Sequence, residues 1–172
     1  MSRVAVCSRS FSRHPILRRE LIAQYPNATF NDAGVSLLGD VLIDFLSGHD
    51  KAVIALERID ADVLVALPDL RVISKYGVGF DGIDLHALIN RGVELGWTGG
   101  VNRTSVAELV IGLAISLLRL VPQANAEVRA GNWKQAVGRQ LSARTFGIVG
   151  CGHVGKELAR MLRAGFGCEV LL

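Results

Sequence analysis

The stretch TFGIVGCGHVGKELARMLRAGFGCEVLL (Thr145–Leu172) combines an apolar run, a glycine-rich turn, a helical pattern and the start of a second apolar run. A strand is predicted over Phe146–Val149. After it, Gly150, Gly152 and Gly155 have the spacing G-x-G-x-x-G. Glycines in this pattern permit a tight turn, a close approach of a pyrophosphate to the backbone, and close packing of a helix on a strand. The stretch therefore predicts the opening of a Rossmann dinucleotide-binding unit.

The context of this turn strengthens the prediction. A helix that begins near Val154 would offer free N–H groups and a partial positive charge to phosphates. A second strand from Cys168 would complete the strand–turn–helix–strand order. The acidic residue that holds the adenine ribose is expected about 20 residues further on, which is beyond Leu172. The sequence thus leaves NAD and NADP undecided, and we expect the chain to be C-terminally truncated.

Strand-like and helix-like segments alternate in residues 1–98, which predicts an α/β fold with a parallel sheet and helices on both faces. Strands are predicted at Arg3–Cys7, Ala28–Phe30, Ala52–Leu56, Arg71–Ser74 and Val93–Trp97, and helices at Pro15–Tyr25, Val35–Leu46, Ala61–Leu67 and Leu85–Asn90. We expect a flavodoxin-like domain over residues 1–98, followed by a hinge, an interface helix and an incomplete Rossmann domain over residues 99–172. A flavodoxin or receiver domain alone would explain residues 1–98 only.

An apolar helix is predicted between these two parts, over residues 106–121. Ser105 and Glu108 have the spacing of a capping box, which places the helix start after Ser105. The helix is apolar nearly all round, so it must be buried between domains or subunits, and we favour a homodimer contact. Pro122 is predicted to end it, with a more polar helix over Gln123–Arg129.

Composition limits the classes of function. Of 172 residues, 50% are hydrophobic and 20% are charged, with a net charge of +3, which is typical of a globular domain. The basic residues are scattered, so nucleic-acid binding is not expected. The most apolar helix is too short and too charged to span a membrane. Three cysteines without metal-ligand spacing, and no signal peptide, favour a cytoplasmic protein with no metal site.

Three stretches carry a family resemblance: LPDLRVISKYGVGFDGID (67–84), WTGGVNRTSVAELVIGLAISLLR (97–119) and VPQANAEVRAGNWKQAVGRQLSARTFGIVGCGHVGKELARMLRAGFG (121–167). In order and spacing they resemble the D-isomer-specific 2-hydroxyacid dehydrogenases, within these the phosphoglycerate-dehydrogenase-like branch. The resemblance covers essentially the whole chain, but only about the first half of a family member. It implies hydride transfer between NAD, with NADP not excluded, and a small D-2-hydroxy acid or its 2-oxo form.

The resemblance also implies site residues. The implied substrate-binding residues are Lys75, Tyr76, Gly77, Val78 and Gly79, and the implied cofactor-binding residues are Thr98, Gly150, Gly152, His153, Val154 and Gly155. Backbone N–H groups of the glycine loop would hold the substrate carboxylate. Lys75 would face a distal phosphate as a point charge. Gly99 departs from the proline that is usual after the cofactor-contacting threonine.

The family's catalytic histidine, its acidic partner and its substrate-binding arginine lie in the second half of a member, so the resemblance implies no catalytic residue in this chain. Two hypotheses follow. The chain is either a truncated dehydrogenase or a non-catalytic remnant that acts as a dimerising or binding module. Other reactive or bulky side chains are interpreted as structural: His14, His49 and His86, helix-capping Asp81 and Asp84, a spectator Cys151, and packing anchors Trp97 and Trp133. The His153 side chain is expected beside the phosphates.

Overall fold

A five-stranded parallel sheet forms the core of the first of two units, in agreement with the predicted α/β class. The computed structural model describes residues 2–172. The first unit ends at Thr98 and the second comprises Gly99–Leu172. In the first unit the strands are β1 (Val4–Val6), β2 (Thr29–Phe30), β3 (Lys51–Ile54), β4 (Val72–Lys75) and β5 (Glu94–Gly96), and the helices are α1 (Arg9–Arg13), α2 (Pro15–Gln24), α3 (Asp40–Leu46), α4 (Ala61–Ala66) and α5 (Leu85–Arg91).

The strand order is β2-β1-β3-β4-β5, with every pair parallel. This is the flavodoxin-like order, in which the direction of strand addition reverses between β1 and β3. Ligand crevices in such sheets open at the carboxyl ends of the strands near this reversal. The topology therefore indicates where a site should be sought.

Alternate residues of the sheet face two separate cores, as the period of a strand requires. Ala5 and Ile54 point to one face, where they pack with Leu64 of α4. Val6 points to the other face, where Phe11 of α1 packs with it. Both faces are thus covered by helices, which explains why β1 is apolar at all three of its residues.

One helix start in this unit was predicted wrongly, and one helix was missed. The helix predicted from Val35 begins only at Asp40, because Gly39 at its N-cap has φ +52° and because Asn31 binds the backbone of Val35 through both its amide nitrogen and its oxygen. Helix α1 was not predicted. It begins after Ser8, whose hydroxyl accepts a hydrogen bond from the Phe11 N–H at 3.2 Å.

The second unit contains α6 (Arg103–Leu118), α7 (Val121–Arg129), β6 (Thr145–Gly147), α8 (His153–Phe166) and β7 (Glu169–Leu171). Strands β6 and β7 are parallel, with Phe146 opposite Val170. Leu158 and Leu162 of α8 pack with Ala107 of α6 in the core of this unit.

Helices α6 and α7 correct two further predictions. Helix α6 begins at Arg103, before the predicted cap, and the Ser105 hydroxyl inside it donates to the Asn102 carbonyl at 2.9 Å. The break between α6 and α7 occurs at Leu120, which has φ +56°, rather than at Pro122. Pro122 lies in the first turn of α7, where its missing N–H sacrifices no helical hydrogen bond.

The apolar face of α6 is largely exposed in the single chain. Leu109, Leu113 and Leu117 follow one another at intervals of four residues and are 61%, 55% and 69% exposed. We call these three residues the α6 leucine stripe. Across residues 2–172 no single helix is long and apolar enough to cross a membrane, and α6 with α7 reaches that length only across a 60° bend.

Candidate functional site

A cleft of about 340 Å³ opens at the carboxyl ends of β3 and β4, near the reversal of strand order. We call it the first cleft. Its walls are Ala55, Leu56, Glu57, Lys75, Tyr76, Gly77, Val78, Gly79, Asp81, Gly82 and Ile83. The structure thus brings the five residues predicted to bind substrate to one cavity.

The glycine loop leaves the sheet at the wall of this cleft. The Tyr76 N–H still donates to the Ile54 carbonyl at 2.7 Å, after which Gly77 adopts φ +129°. The Trp97 indole donates to the Val78 carbonyl at 2.8 Å. In a trans peptide the following N–H points the opposite way, so this bond fixes the direction of the Gly79 N–H. Backbone N–H groups held in this manner form the kind of concavity that binds anions.

Charged groups in the first cleft are tied to its backbone. The Lys75 ammonium donates to the Ala55 carbonyl, which anchors its positive charge at the loop after β3. The Glu57 carboxylate accepts from the Ala55 N–H at 2.5 Å. Burial, reinforced by the charge of Glu57, raises the pKa of the neighbouring Cys7 thiol well above its usual range. Cys7 is therefore a protonated core residue and not a nucleophile.

The glycine-rich turn of the second unit requires its third glycine. A Cβ at Gly155 would lie 2.2 Å from the Gly150 carbonyl oxygen, so only glycine permits this approach of helix to strand. Gly150 itself has φ +95°. A Cβ at Gly152 would meet no atom within 4 Å, which means that space is open in front of the turn.

No side chain caps the start of α8, which follows this turn directly. Gly152 is the N-cap and makes no side-chain cap bond, so the first-turn N–H groups of the helix have no intrahelical acceptor. Open space, free N–H groups and the positive end of a 14-residue helix fit a pyrophosphate. The residues present therefore fit a dinucleotide.

The His153 ring lies next to Gly100, because a Cβ built on Gly100, which has φ +70°, would lie 2.6 Å from it. His153 itself is exposed at the first residue of α8. Val154 is half-buried in the first turn of α8, and Thr98 is exposed at the last residue of the first unit.

Two other histidines have structural partners. His14 Nδ1 accepts from the Leu17 N–H at 3.4 Å, at the start of α2. The buried His49 ring lies 3.0 Å from the Thr29 hydroxyl and 3.1 Å from the Ser47 carbonyl.

Of the other side chains interpreted as structural, one caps a helix, one borders the first cleft and one is exposed. Asp84 caps α5 by accepting from the Ala87 N–H at 2.9 Å, whereas Asp81 borders the first cleft. The prediction of Trp133 as a packing anchor was wrong, because this side chain is 91% exposed. Within residues 2–172 no group of three His, Cys, Asp or Glu side chains is placed to hold a metal ion.

A second cleft, of about 330 Å³, lies beside the first and was not predicted. Its own wall consists of Ser8, Arg9 and Ser10, which follow β1. No role was predicted for this segment. The signal that could have identified it is its position after the first strand of a parallel sheet, where ligand-binding loops lie.

Comparison with known proteins places the chain in a family. Residues 4–163 match the model of the D-isomer specific 2-hydroxyacid dehydrogenase catalytic domain. The glyoxylate reductase of Thermofilum pendens is 36% identical over 121 residues, which are 67% of this chain and 35% of that protein. The D-3-phosphoglycerate dehydrogenase of Rattus norvegicus is 37% identical over 116 residues, which are 66% of this chain and 22% of that protein.

A solved structure supports the same placement. A D-isomer specific 2-hydroxyacid dehydrogenase, described as NAD-binding, from Polaromonas sp. JS6 66 superposes with a TM-score of 0.85 at 25% identity. The match covers 99% of this chain and 54% of that one. The chain spans between about a fifth and about a third of the length of the two curated relatives named above. The chain belongs to the D-isomer specific 2-hydroxyacid dehydrogenase family.

Proposed function

We propose that this chain forms the substrate-binding domain and the opening of the dinucleotide-binding domain of an NAD-dependent D-2-hydroxyacid dehydrogenase. The observation that carries the proposal is the glycine-rich turn, where Gly155 packs on Gly150 and Gly152 faces open space. The family match supports the same assignment.

Each part of the chain has a binding role in this proposal. The N–H groups of Gly77–Gly79 hold the substrate carboxylate, and Lys75 adds a positive charge at the cleft wall. The main chain of Gly152 and His153 holds the pyrophosphate at the start of α8. The nicotinamide, when bound, exchanges a hydride with the carbon that carries the hydroxyl or oxo group.

The first cleft does not contain an acid–base histidine. Its described walls include no histidine at all. We propose that the proton transfer of the family reaction is carried out by a group outside these walls. We propose that the chain binds both molecules and is inactive in turnover by itself.

Binding of NADH to the 172-residue chain tests the proposal. The variant Gly152→Val fills the open space before the turn. We expect it to weaken NADH binding about tenfold or more, because a few hydrogen bonds to the phosphates would be lost. Gly165→Ala, in the same helix but with open surroundings, is the matched control and should bind like the parent chain. Fluorescence titration with NADH and NADPH gives the affinities, and we propose that NADH binds more tightly. Equal affinity of Gly152→Val and the parent chain would refute the assignment of the turn.

We also propose that the chain forms a homodimer through the α6 leucine stripe. Three leucines on one helix face are more apolar surface than an exposed helix normally carries, and a two-fold contact would bury the stripe against its copy. Sedimentation velocity over a concentration series should show a dimer that Leu113→Glu dissociates. Ile89→Glu, at an even more exposed apolar residue of α5, is the control and should leave the dimer intact. A parent chain that stays monomeric at all concentrations contradicts this proposal.

The same stripe favours a second candidate function, a non-catalytic dimerising module. The absence of an acid–base histidine from the described first cleft agrees with it. A dimer that binds no dinucleotide would support this candidate over the first. Reduction of 2-oxo acids with NADH by the purified chain would exclude it.

A further inference from the structure

The glycine-rich turn carries an exposed histidine. His153 directly follows Gly152, where a Cβ would meet no atom within 4 Å, and it is the first residue of α8. Within residues 150–155 it is the side chain of the type that ordinarily changes its charge between about pH 5 and 8. The charge beside the open space of the turn therefore depends on the protonation of this ring.

The segment before α6 determines where the ring lies. A Cβ built on Gly100 would lie 2.6 Å from the Cγ atom of His153 and 2.7 Å from its Nδ1 atom. The carbonyl of the same glycine accepts a hydrogen bond from the Arg103 guanidinium at 3.2 Å. Gly100 thus brings the histidine ring and a guanidinium into one neighbourhood.

Other charged and titratable groups near His153 come from the turn and from α8. Cys151 is an exposed free thiol in the turn. Lys156 and Glu157 lie three and four residues further along α8, on the side of the helix that His153 occupies. Of these groups and Arg103, Glu157 alone carries a carboxylate that could serve as a counter-ion for a protonated ring.

The carboxylate of Glu157 already has a partner. Its Oε1 atom lies 2.6 Å from Nη2 of Arg160. This hydrogen bond, together with the charges of Arg160 and Arg103, lowers the pKa of Glu157 although burial opposes the shift. One carboxylate is therefore shared between two guanidinium groups, and positive charge exceeds negative charge around His153.

A bound pyrophosphate would reverse this balance. Each of its phosphates is negatively charged at neutral pH, and an opposite charge nearby favours the charged form of a titratable group. We propose that the dinucleotide binds to the turn together with one proton, which adds from solvent to the unprotonated ring nitrogen of His153. The resulting imidazolium faces the pyrophosphate. This inference rests on the proposed function and adds a dependence of cofactor affinity on pH.

The direction of the pH dependence follows from linkage. A ring that is protonated more readily in the complex than in the free chain strengthens binding at low pH, and this gain is lost as the pH rises. We expect the dissociation constant of NADH to rise about threefold to fivefold between about pH 6 and 7.5, the effect of one ion pair at a protein surface. A thiol ordinarily titrates above this range.

Calorimetric titration of the full 172-residue chain with NADH tests the proposal. Measurements at one pH in two buffers that differ in their enthalpy of ionisation count the protons exchanged on binding. We expect net uptake of a fraction of a proton per NADH near pH 7, together with the expected rise of the dissociation constant with pH.

Three variants assign the proton to its residue. His153→Gln should bind NADH without proton uptake and with the same affinity at both ends of the pH range. His153→Lys carries a permanent charge and should bind at pH 7.5 as tightly as the parent chain binds at pH 6. His86→Gln, at an exposed histidine of α5, is the matched control and should keep both the proton uptake and the pH dependence.

The outcomes distinguish this inference from the proposed function. NADH binding that is independent of pH and takes up no proton overturns the inference and leaves the proposed function standing. A pH dependence that persists in His153→Gln but disappears in Cys151→Ser assigns the titration to the thiol and also overturns it. Absence of NADH binding at every pH refutes the proposed function, and this inference with it.

Discussion

Gly155 leaves no room for even a methyl group, because its Cβ would meet the carbonyl oxygen of Gly150 at 2.2 Å. The clash is with backbone, so the turn itself must move. We expect Gly155→Ala to lower the free energy of unfolding of the second unit by about 1–3 kcal/mol, as overpacking does.

The control for this substitution lies in the same helix. Gly165→Ala meets nothing within 4 Å and removes a flexible residue, so it should raise the free energy of unfolding by about 0.5–1 kcal/mol. Urea denaturation of both variants gives the comparison. Two shifts of the same sign would contradict the close approach of Gly155 to Gly150.

Asp50 makes the stability of the first unit depend on pH. Burial opposes ionisation of Asp50, but hydrogen bonds from the Ser2 hydroxyl at 2.7 Å and the Arg3 N–H at 2.5 Å outweigh it, so its pKa is lowered in the folded chain. A carboxyl whose pKa is lower when folded stabilises the fold above its unfolded pKa. That stabilisation is lost as the pH falls through the folded pKa.

We therefore expect Asp50→Asn to destabilise the chain at neutral pH and to converge with the parent chain in acid. Thermal unfolding measured from neutral to acid pH provides the test. Asp69→Asn, at an exposed carboxylate nearby, is the control and should follow the parent chain at every pH. A pH-independent effect of Asp50→Asn would show that shape and not charge is responsible.

Sequence could predict the residues whose role is set by local geometry. The glycines of the turn were predicted from their spacing, whereas the loop Gly77–Gly79 was predicted from the family resemblance. The segment Ser8–Ser10 was missed, since the carbonyl of Cys7 just before it is held by Asn31, which is distant in sequence.

The stability of helix α5 depends on its N-cap residue. Asp84 accepts from the Ala87 N–H at 2.9 Å, which satisfies one of the free donors at the helix start. We expect Asp84→Ala to lower the free energy of unfolding by about 1 kcal/mol. Asp81→Ala, which removes a nearby carboxylate without a capping role, should have a smaller effect in the same chemical denaturation experiment. The cap assignment fails if the two variants are equally stable.

Most elements could be predicted, and their boundaries were wrong where a distant or competing interaction intervenes. The start of α3 was misplaced because Asn31 holds the backbone of Val35 in a loop. The start of α6 was misplaced because the Ser105 hydroxyl bonds to Asn102 within the helix instead of capping it. The end of α6 was misplaced because Leu120 adopts a positive φ there, and the pattern of apolar residues does not predict that conformation.

The whole chain has a separate apolar core in each unit. Leu162 is fully buried in the core of the second unit, and Leu64 is fully buried in that of the first. We expect Leu162→Ala and Leu64→Ala each to lower the free energy of unfolding by about 2–5 kcal/mol. The effect should be limited to the unit that carries the substitution. Hydrogen exchange read by peptide should show faster exchange in α8 for the first variant and in β3 for the second. Uniform acceleration across both units in either variant would mean that they unfold as one.

The order of the elements along the chain also sets an order in time. All five strands of the larger sheet lie before Gly99, and the interior strand β1 has both of its edges paired only after β3 has been made. Small mixed α/β domains fold in about milliseconds to seconds, while a ribosome adds about 5–20 residues per second. The first cleft is therefore expected to be finished while α6 to β7 are still being made. If the proposed function holds, the nascent chain would meet its substrate before it can meet its cofactor.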